Sequence, residues 1–337
     1  MPGTSAVTEP LNPSLNQASI EPAANDLPGL PPGAEAIIAL RGVAKWYGDV
    51  VAVSDLTFGI GLGVTALLGP NGAGKSTILN LVSGLIRPSS GTVQVLDRTV
   101  PGDTMVYRDL GLAGEQEQLY GSLTGREFVR LNAILQKTPS PDFATERTLA
   151  LVDMADAADR HLGGYSKGMR QRIKVAAALV HDPRVLLLDE PLNGTDPVQR
   201  ARMIALIRQL GEEGKTVVVS SHVLSEVERF ARNVLVIVNG KLAAAGDFRT
   251  IRERMDERDH IVRIRCDDPR RLAAALVVEP VTTSIRMADG RLIAETNDVR
   301  QFGRLVPDVA RREGIRLFEM QPVDESLASV FSYLVGS

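Results

Sequence analysis

The stretch Gly69-Pro70-Asn71-Gly72-Ala73-Gly74-Lys75-Ser76-Thr77 follows the apolar run Val64 to Leu68 and precedes a helix-like segment, Thr77 to Leu85. It fits Gly-x-x-x-x-Gly-Lys-Ser/Thr in the context that pattern needs, a buried strand before it and a helix after it. Glycines at 69, 72 and 74 let the backbone curl without Cβ clashes, so that successive N–H groups and the positive end of the helix point at phosphate oxygens. Lys75 supplies a mobile charge for β and γ phosphates, and the Ser76 hydroxyl is placed to ligate Mg2+. Together with Asn71 and Thr77, these residues form the expected contact set of a loop that by itself says only that a phosphate is held. A chance match in a chain of this composition has a probability of roughly one in a hundred, and the flanking strand and helix lower it further.

Two acids close a second apolar run, Val185-Leu-Leu-Leu-Asp-Glu190. Residues apolar on both faces are what a strand inside a covered parallel sheet requires, and Val217 to Val219 reads the same way. Asp189 suits the hydration shell of Mg2+, while Glu190, turned differently, suits the polarisation of an attacking water. Alone the pair would be an acidic strand end; following the phosphate loop in one sheet, it reads as the hydrolytic half of a site.

Tyr165-Ser-Lys-Gly-Met-Arg-Gln-Arg172, ahead of a helix predicted over Lys167 to Val180, resembles the signature motif of ABC ATPases. The usual form is Leu-Ser-Gly-Gly-Gln. This chain departs from it at Tyr165, Lys167 and Met169 and keeps Ser166 and Gly168, whose hydroxyl and N–H serve at a helix N-terminus. The departures resemble those of the exporter-type branch. The resemblance implies that Ser166 and Gly168 bind the γ-phosphate held by an opposite subunit, so the site is complete only in a dimer. Glu190-Pro-Leu-Asn-Gly-Thr-Asp-Pro197 is similar to the family's D-loop, with Thr195 in place of leucine and Asp196 communicating across the dimer. His222, in Val-Ser-Ser-His, matches the switch histidine that contacts the γ-phosphate. Tyr47, in Lys-Trp-Tyr-Gly, matches the aromatic that stacks on adenine, and Trp46 beside it is read as packing. Matching Leu119-Tyr120 to the family places Glu115 where a metal-ligating glutamine is usual, with Gln116 as the neighbouring register.

Six ordered motifs carry this resemblance over residues 37 to 247. The implied fold is α/β, a P-loop NTPase with a mostly parallel core sheet, an N-terminal antiparallel β portion and a helical signature region. A weaker resemblance covers residues 248 to 337, read as a small α+β accessory domain. Within it we expect a charged helix at Phe248 to Arg258 and a strand at His260 to Cys266. A hairpin turning at Asp289-Gly290 and helices at Val299 to Glu313 and Glu325 to Leu334 follow. Residues 1 to 36 carry prolines at 2, 10, 13, 22, 28, 31 and 32, and such a segment is expected to be disordered because it cannot bury enough apolar surface to offset ordering entropy.

With 337 residues, 44% hydrophobic and 23% charged, the chain has room for one motor domain and a smaller unit, not two motors. A net charge of −3 gives no electrostatic reason to expect nucleic acid as partner. Its one cysteine, Cys266, excludes an internal disulfide. No run reaches the 18 or so apolar residues of a membrane helix, and no charged start or apolar core of a secretory signal precedes Arg41. The resemblance therefore implies an ATP-hydrolysing subunit acting as a dimer, with a second copy or a paralogous motor. A separately encoded multi-span permease would hold it peripherally at the cytoplasmic face of the membrane. The alternative is an ABC ATPase acting on ribosomes or DNA, a class that usually carries tandem motors or long coiled-coil insertions, neither of which is visible. A non-hydrolysing nucleotide sensor is disfavoured by the complete set Lys75, Asp189, Glu190 and His222.

Overall fold

A computed structural model describes residues 27–31, 33–115, 119–247, 260–288 and 291–322. β1 (Ile38–Tyr47) and β2 (Val50–Ile60) form a hairpin through Gly48-Asp49, with Gly48 at φ 57°. β3 (Gly63–Leu68) runs into the glycine loop and α1 (Lys75–Val82). The helix stops short of the expected Leu85 because Gly84 takes φ 72°, which a right-handed helix does not admit. β4 (Ser90–Val95) and β5 (Arg98–Val100) return beside β1, giving an antiparallel sheet ordered β2-β1-β4-β5.

The chain continues through β6 (Leu110–Ala113), α2 (Gly125–Leu135), α3 (Pro141–Leu151), α4 (Lys167–Leu179), β7 (Val185–Leu188) and α5 (Pro197–Glu212). It then forms β8 (Thr216–Ser221), α6 (Leu224–Phe230), β9 (Asn233–Val238) and β10 (Lys241–Asp247). Caps explain the helix starts: Thr124 and Glu127 form a capping box on α2, and Asp196 accepts from the N–H groups of Val198 and Gln199 at the start of α5.

The second sheet is ordered β10-β9-β3-β8-β7-β6, parallel except where β10 returns antiparallel on β9. Its two faces bury different cores. Leu186 and Leu188 belong with the helical side, Val185 and Leu187 with α1 and the antiparallel sheet. All four are 0% exposed, and each stabilises the fold by about 1.5–3 kcal/mol. β3, β8, β7 and β6 therefore lie side by side and end at one edge, where the chain leaves for Gly69, His222, Asp189 and Glu115 in turn.

β11 (His260–Cys266), α7 (Pro269–Leu276), β12 (Thr282–Ala288), β13 (Arg291–Thr296), α8 (Val299–Arg312) and β14 (Leu317–Pro322) follow, a β-α-β-β-α-β succession of ferredoxin-like type. The sheet is ordered β12-β13-β11-β14 and has its own core, in which α8 buries Phe302, Val306, Val309 and Ala310 at helical spacing. The expected helices at 248–258 and 325–334, the turn at 289–290 and residues 1–26 lie outside the described residues. Residues 27–36, expected within a disordered leader, are partly packed. Leu27 is buried, Gly59 donates its N–H to the Pro28 carbonyl at 2.9 Å, and a Cβ on Gly59 would sit 2.6 Å from Leu30. No helix among the described residues is long and apolar enough to cross a membrane.

Candidate functional site

The glycines of the loop after β3 do separate jobs. Gly69 has no room for a side chain: a Cβ there would lie 2.3 Å from the Ile237 carbonyl of β9. Gly74 stands at φ 102°, and a Cβ would lie 2.8 Å from the Ala52 carbonyl, so both conformation and contact demand glycine. As the N-cap of α1 it also offers no side chain to the first amides of the helix, which have no intrahelical acceptor. Asn71 and Gly72 are exposed at the tip, and Ser76 and Thr77 are half-buried in the first turn.

Lys75 is buried beneath this loop. Its Nζ donates to the carbonyls of Gly69 at 2.8 Å and Pro70 at 3.1 Å and stands 3.5 Å from Glu190 Oε1. Glu190 turns toward it through φ 49°, a left-handed conformation costing a non-glycine residue about 1–3 kcal/mol. Ser220 of β8 holds that turn, since its Oγ accepts the Glu190 N–H at 2.8 Å and donates to Asp189 Oδ1 at 2.6 Å. His222 Nδ1 lies 3.0 Å from both Glu190 oxygens. The carboxylate is thus fixed between a cation and an imidazole.

The donor set fits a hard divalent cation. Asp189 is buried, with Oδ1 held by Ser220, and the Ser76 hydroxyl opens α1. These are oxygen donors only, and no group of three or more His, Cys, Asp or Glu able to hold a metal occurs among the described residues. Few protein oxygens supplemented by phosphate and water is the manner in which Mg2+ is usually bound. Glu115 follows the end of β6. Its side chain is exposed, and the contact the structure shows is at its main-chain carbonyl, which accepts from Lys174 Nζ at 3.1 Å. Residues 116–118, including Gln116, lie outside the described residues.

Ser166 caps α4, its Oγ accepting the Met169 N–H at 3.3 Å, and a Cβ on Gly168 would lie 3.2 Å from the Gly194 carbonyl. The first turn of α4 therefore rests on the loop that leads to Asp196. Tyr165, where leucine is usual, is buried and donates to the Ala157 carbonyl at 2.7 Å; burial pushes its phenol up. Thr195 is buried and donates to the Leu192 carbonyl at 2.6 Å. Among the described residues, no hydrogen bond or ion pair joins Ser166, Gly168 or Asp196 to Lys75, Glu190 or His222. Tyr47 stands at the β1–β2 tip, 50% exposed, with Lys45 Nζ 5.0 Å from its ring centroid. Trp46, expected to pack, is 47% exposed and offers a second open aromatic face.

Sequence reasoning missed Ser220 and Lys174. Ser220 lies two residues before His222 in Val-Ser-Ser-His, the one signal that pointed to it. Lys174 projects from α4, buried, onto the carbonyls of Gly114 and Glu115, and Gln171 Nε2 of the same helix reaches the Asp189 carbonyl at 3.5 Å.

A family model described as ABC transporter matches residues 53–193. The daunorubicin/doxorubicin resistance ATP-binding protein DrrA of Streptomyces peucetius is 34% identical over 310 residues, covering 89% of this chain and 92% of that one. The Nod factor export ATP-binding protein I of Rhizobium leguminosarum bv. viciae is 31% identical over 303 residues, covering 89% and 94%. Among solved structures, the dimeric post-hydrolysis state of the ATP-binding cassette MJ0796 bound to ADP and Pi aligns with a TM-score of 0.58. It is 25% identical and covers 62% of this chain and 98% of that chain.

Proposed function

This chain belongs to the ABC transporter ATP-binding proteins and is an ATPase, and we propose that it powers export through a separately encoded multi-span permease, working as a pair of copies at the cytoplasmic face of the membrane. The carrying observation is the Glu190 carboxylate held between Lys75 and His222 at the ends of β3, β7 and β8. In this reading the glycine loop, Lys75, Ser76 and Thr77 hold the phosphates of ATP, and Tyr47 stacks on adenine. Glu190 accepts a proton from the attacking water, and His222 keeps the carboxylate aimed and meets the γ-phosphate. Ser76 and Asp189 would hold Mg2+, which supplies charge neutralisation on the phosphates. Ser166, Gly168 and Asp196 serve the nucleotide of the other copy, which accords with their lack of polar contact to their own chain's cluster and with the dimeric state of the MJ0796 cassette.

Export is supported by the named role of the Nod factor export relative, and the drug-resistance role named for DrrA accords with it. A permease partner is supported by the apolar side chains left open on the helical region. Leu135 of α2 and Phe143 of α3 are 70% and 72% exposed, with Ile134 half-exposed beside them. Burying two such side chains against a partner would contribute about 3–6 kcal/mol. The test is affinity purification from detergent-solubilised membranes of the parent and a Leu135→Asp, Phe143→Asp variant. A multi-span protein should accompany the parent and be lost from the variant, while ATP hydrolysis by the purified chain persists. Recovery of ribosomes or DNA in place of a membrane protein would refute the transport reading.

A further inference from the structure

Away from the Lys75 cluster, a dense group of charged side chains surrounds Asp153, between α3 and the signature segment. Asp153 takes φ 57°, a conformation open to glycine and costly to most other residues. What its side chain does there is bridge two helices. Oδ2 accepts from Gln199 Nε2 at 3.1 Å and pairs with Arg202, both on α5. From α4, Arg172 Nη1 donates to the Asp153 main-chain carbonyl at 2.6 Å and lies 3.7 Å from Oδ2. Gln199 and Arg202 stand within two turns of the Asp196 cap, and Arg172 within two turns of the Ser166 cap.

The tie extends to the third helix. Arg200 of α5 donates to the Thr195 carbonyl at 3.3 Å and pairs with Glu226 of α6 at 3.2 Å. α6 begins just after His222. Two nodes, Asp153 and Glu226, thus join the helices that carry the signature, the D-loop and the switch histidine. An isolated exposed pair would hold little. Here Arg172 is only 13% exposed, so carrying Asp153 away from α4 with α5 would strip a largely buried cation of its counter-charge. The bond from Gln199, with the charges of Arg202 and Arg172, holds the Asp153 carboxyl below the usual carboxylate range. Burial draws the Arg172 guanidinium down, and Asp153 and Asp196 oppose that shift.

We propose that Asp153 is a positioning residue that couples the two nucleotide sites of the dimer, by making the signature loop of one copy, which serves the other copy's nucleotide, move with that copy's own Glu190 and His222. This rests on the dimer reading above. One copy's lattice runs from a loop that senses the far nucleotide to a switch that acts on the near one, so occupancy of either site biases the other through rigid, charge-tied helices.

Asp153→Gly removes the carboxylate and leaves a residue that accepts φ 57° readily, so the backbone relief offsets part of the lost ion pairing and the chain should still fold, with a melting temperature modestly below the parent's. Asp153→Asn cancels the charge while tolerating the same backbone, and should shift the same readouts less. The measurements are the ATP dependence of phosphate release and, in a Glu190→Gln background, ATP-driven dimerisation followed by light scattering. With two coupled sites the parent's Hill coefficient approaches about 2, and Asp153→Gly should bring it to about 1. The ATP concentration for half-dimerisation should rise about tenfold, equivalent to ~1.4 kcal/mol of coupling for each of the two nucleotides, with nucleotide affinity of the monomeric chain unchanged. A dimer that forms normally and whose Hill coefficient and dimerisation ignore both substitutions overturns the coupling, as does a dimeric parent with a Hill coefficient of one. A Glu190→Gln chain that stays monomeric at saturating ATP overturns the dimer reading and the coupling with it.

Discussion

Replacing Glu190 by glutamine should slow hydrolysis and tighten ATP binding together, and the structure says why both follow from one change. The side chains of Lys75 and Glu190 are 7% and 11% exposed and 3.5 Å apart. At an effective dielectric of about 20, a pair at that separation attracts by about 5 kcal/mol, of which desolvation offsets most. Glutamine removes the charge without changing the shape, so Lys75 is left with the carbonyls of Gly69 and Pro70 and a largely buried cation lacks its counter-charge. The phosphates of ATP restore that counter-charge. With a net pair strength of about 1–2 kcal/mol, ATP affinity should rise about 5- to 30-fold. Loss of the base should lower turnover by about 10²- to 10⁴-fold, or about 3–5 kcal/mol on the barrier. Nucleotide titration by fluorescence and phosphate release under single-turnover conditions read the two effects separately. A variant that hydrolyses within tenfold of the parent, or binds ATP more weakly, would refute the reasoning that Glu190 is both base and counter-ion.

Gly69→Ala should destabilise the fold by about 1–3 kcal/mol and abolish nucleotide binding, because its Cβ meets a backbone carbonyl that cannot swing aside; an unchanged urea midpoint would show the loop to be roomier than this. His181 makes stability depend on acid. Its Nε2 lies 3.1 Å from the Leu110 carbonyl and so carries the hydrogen, leaving Nδ1 buried without a partner. Burial holds its pKa below the ordinary 6.5, so the native state favours the neutral ring. The stability it contributes is complete above about pH 6.5 and lost as pH falls from there through the lowered native value. Urea midpoints between pH 7.5 and 5 should fall less steeply in His181→Gln than in the parent, and parallel slopes would remove His181 from this role.

How far the chain could be read without coordinates depended on the range of the physics involved. Val185 to Leu188 was legible as a strand buried on both faces because four apolar residues in succession leave no polar side. The helix at Lys167 was legible because Ser166 caps its own first turn. The phosphate loop and the order of the motifs are likewise local patterns. Failures arose where a residue's partner lies far along the chain. Leu27 and Leu30 look like part of a proline-rich tail until Gly59, with no side chain of its own, is found beneath them. Trp46, read as packing, stands half-exposed.

The sequence by itself determined that a phosphate-loop pattern stands at Gly69 to Thr77, that acids follow at 189 and 190, and that a signature-like cap stands at Ser166. Each of these is specified by neighbours within a few residues, where backbone geometry and side-chain chemistry act directly. Only the tertiary structure decided that Ser220 fastens Asp189 and Glu190 at once, that Lys75 and His222 share one carboxylate, and that Asp153 ties α4 to α5. The contacts of Ser220, Lys75 and His222 exist because β8 inserts between β3 and β7, an order set by which apolar faces pack together. No local pattern in the chain encodes it.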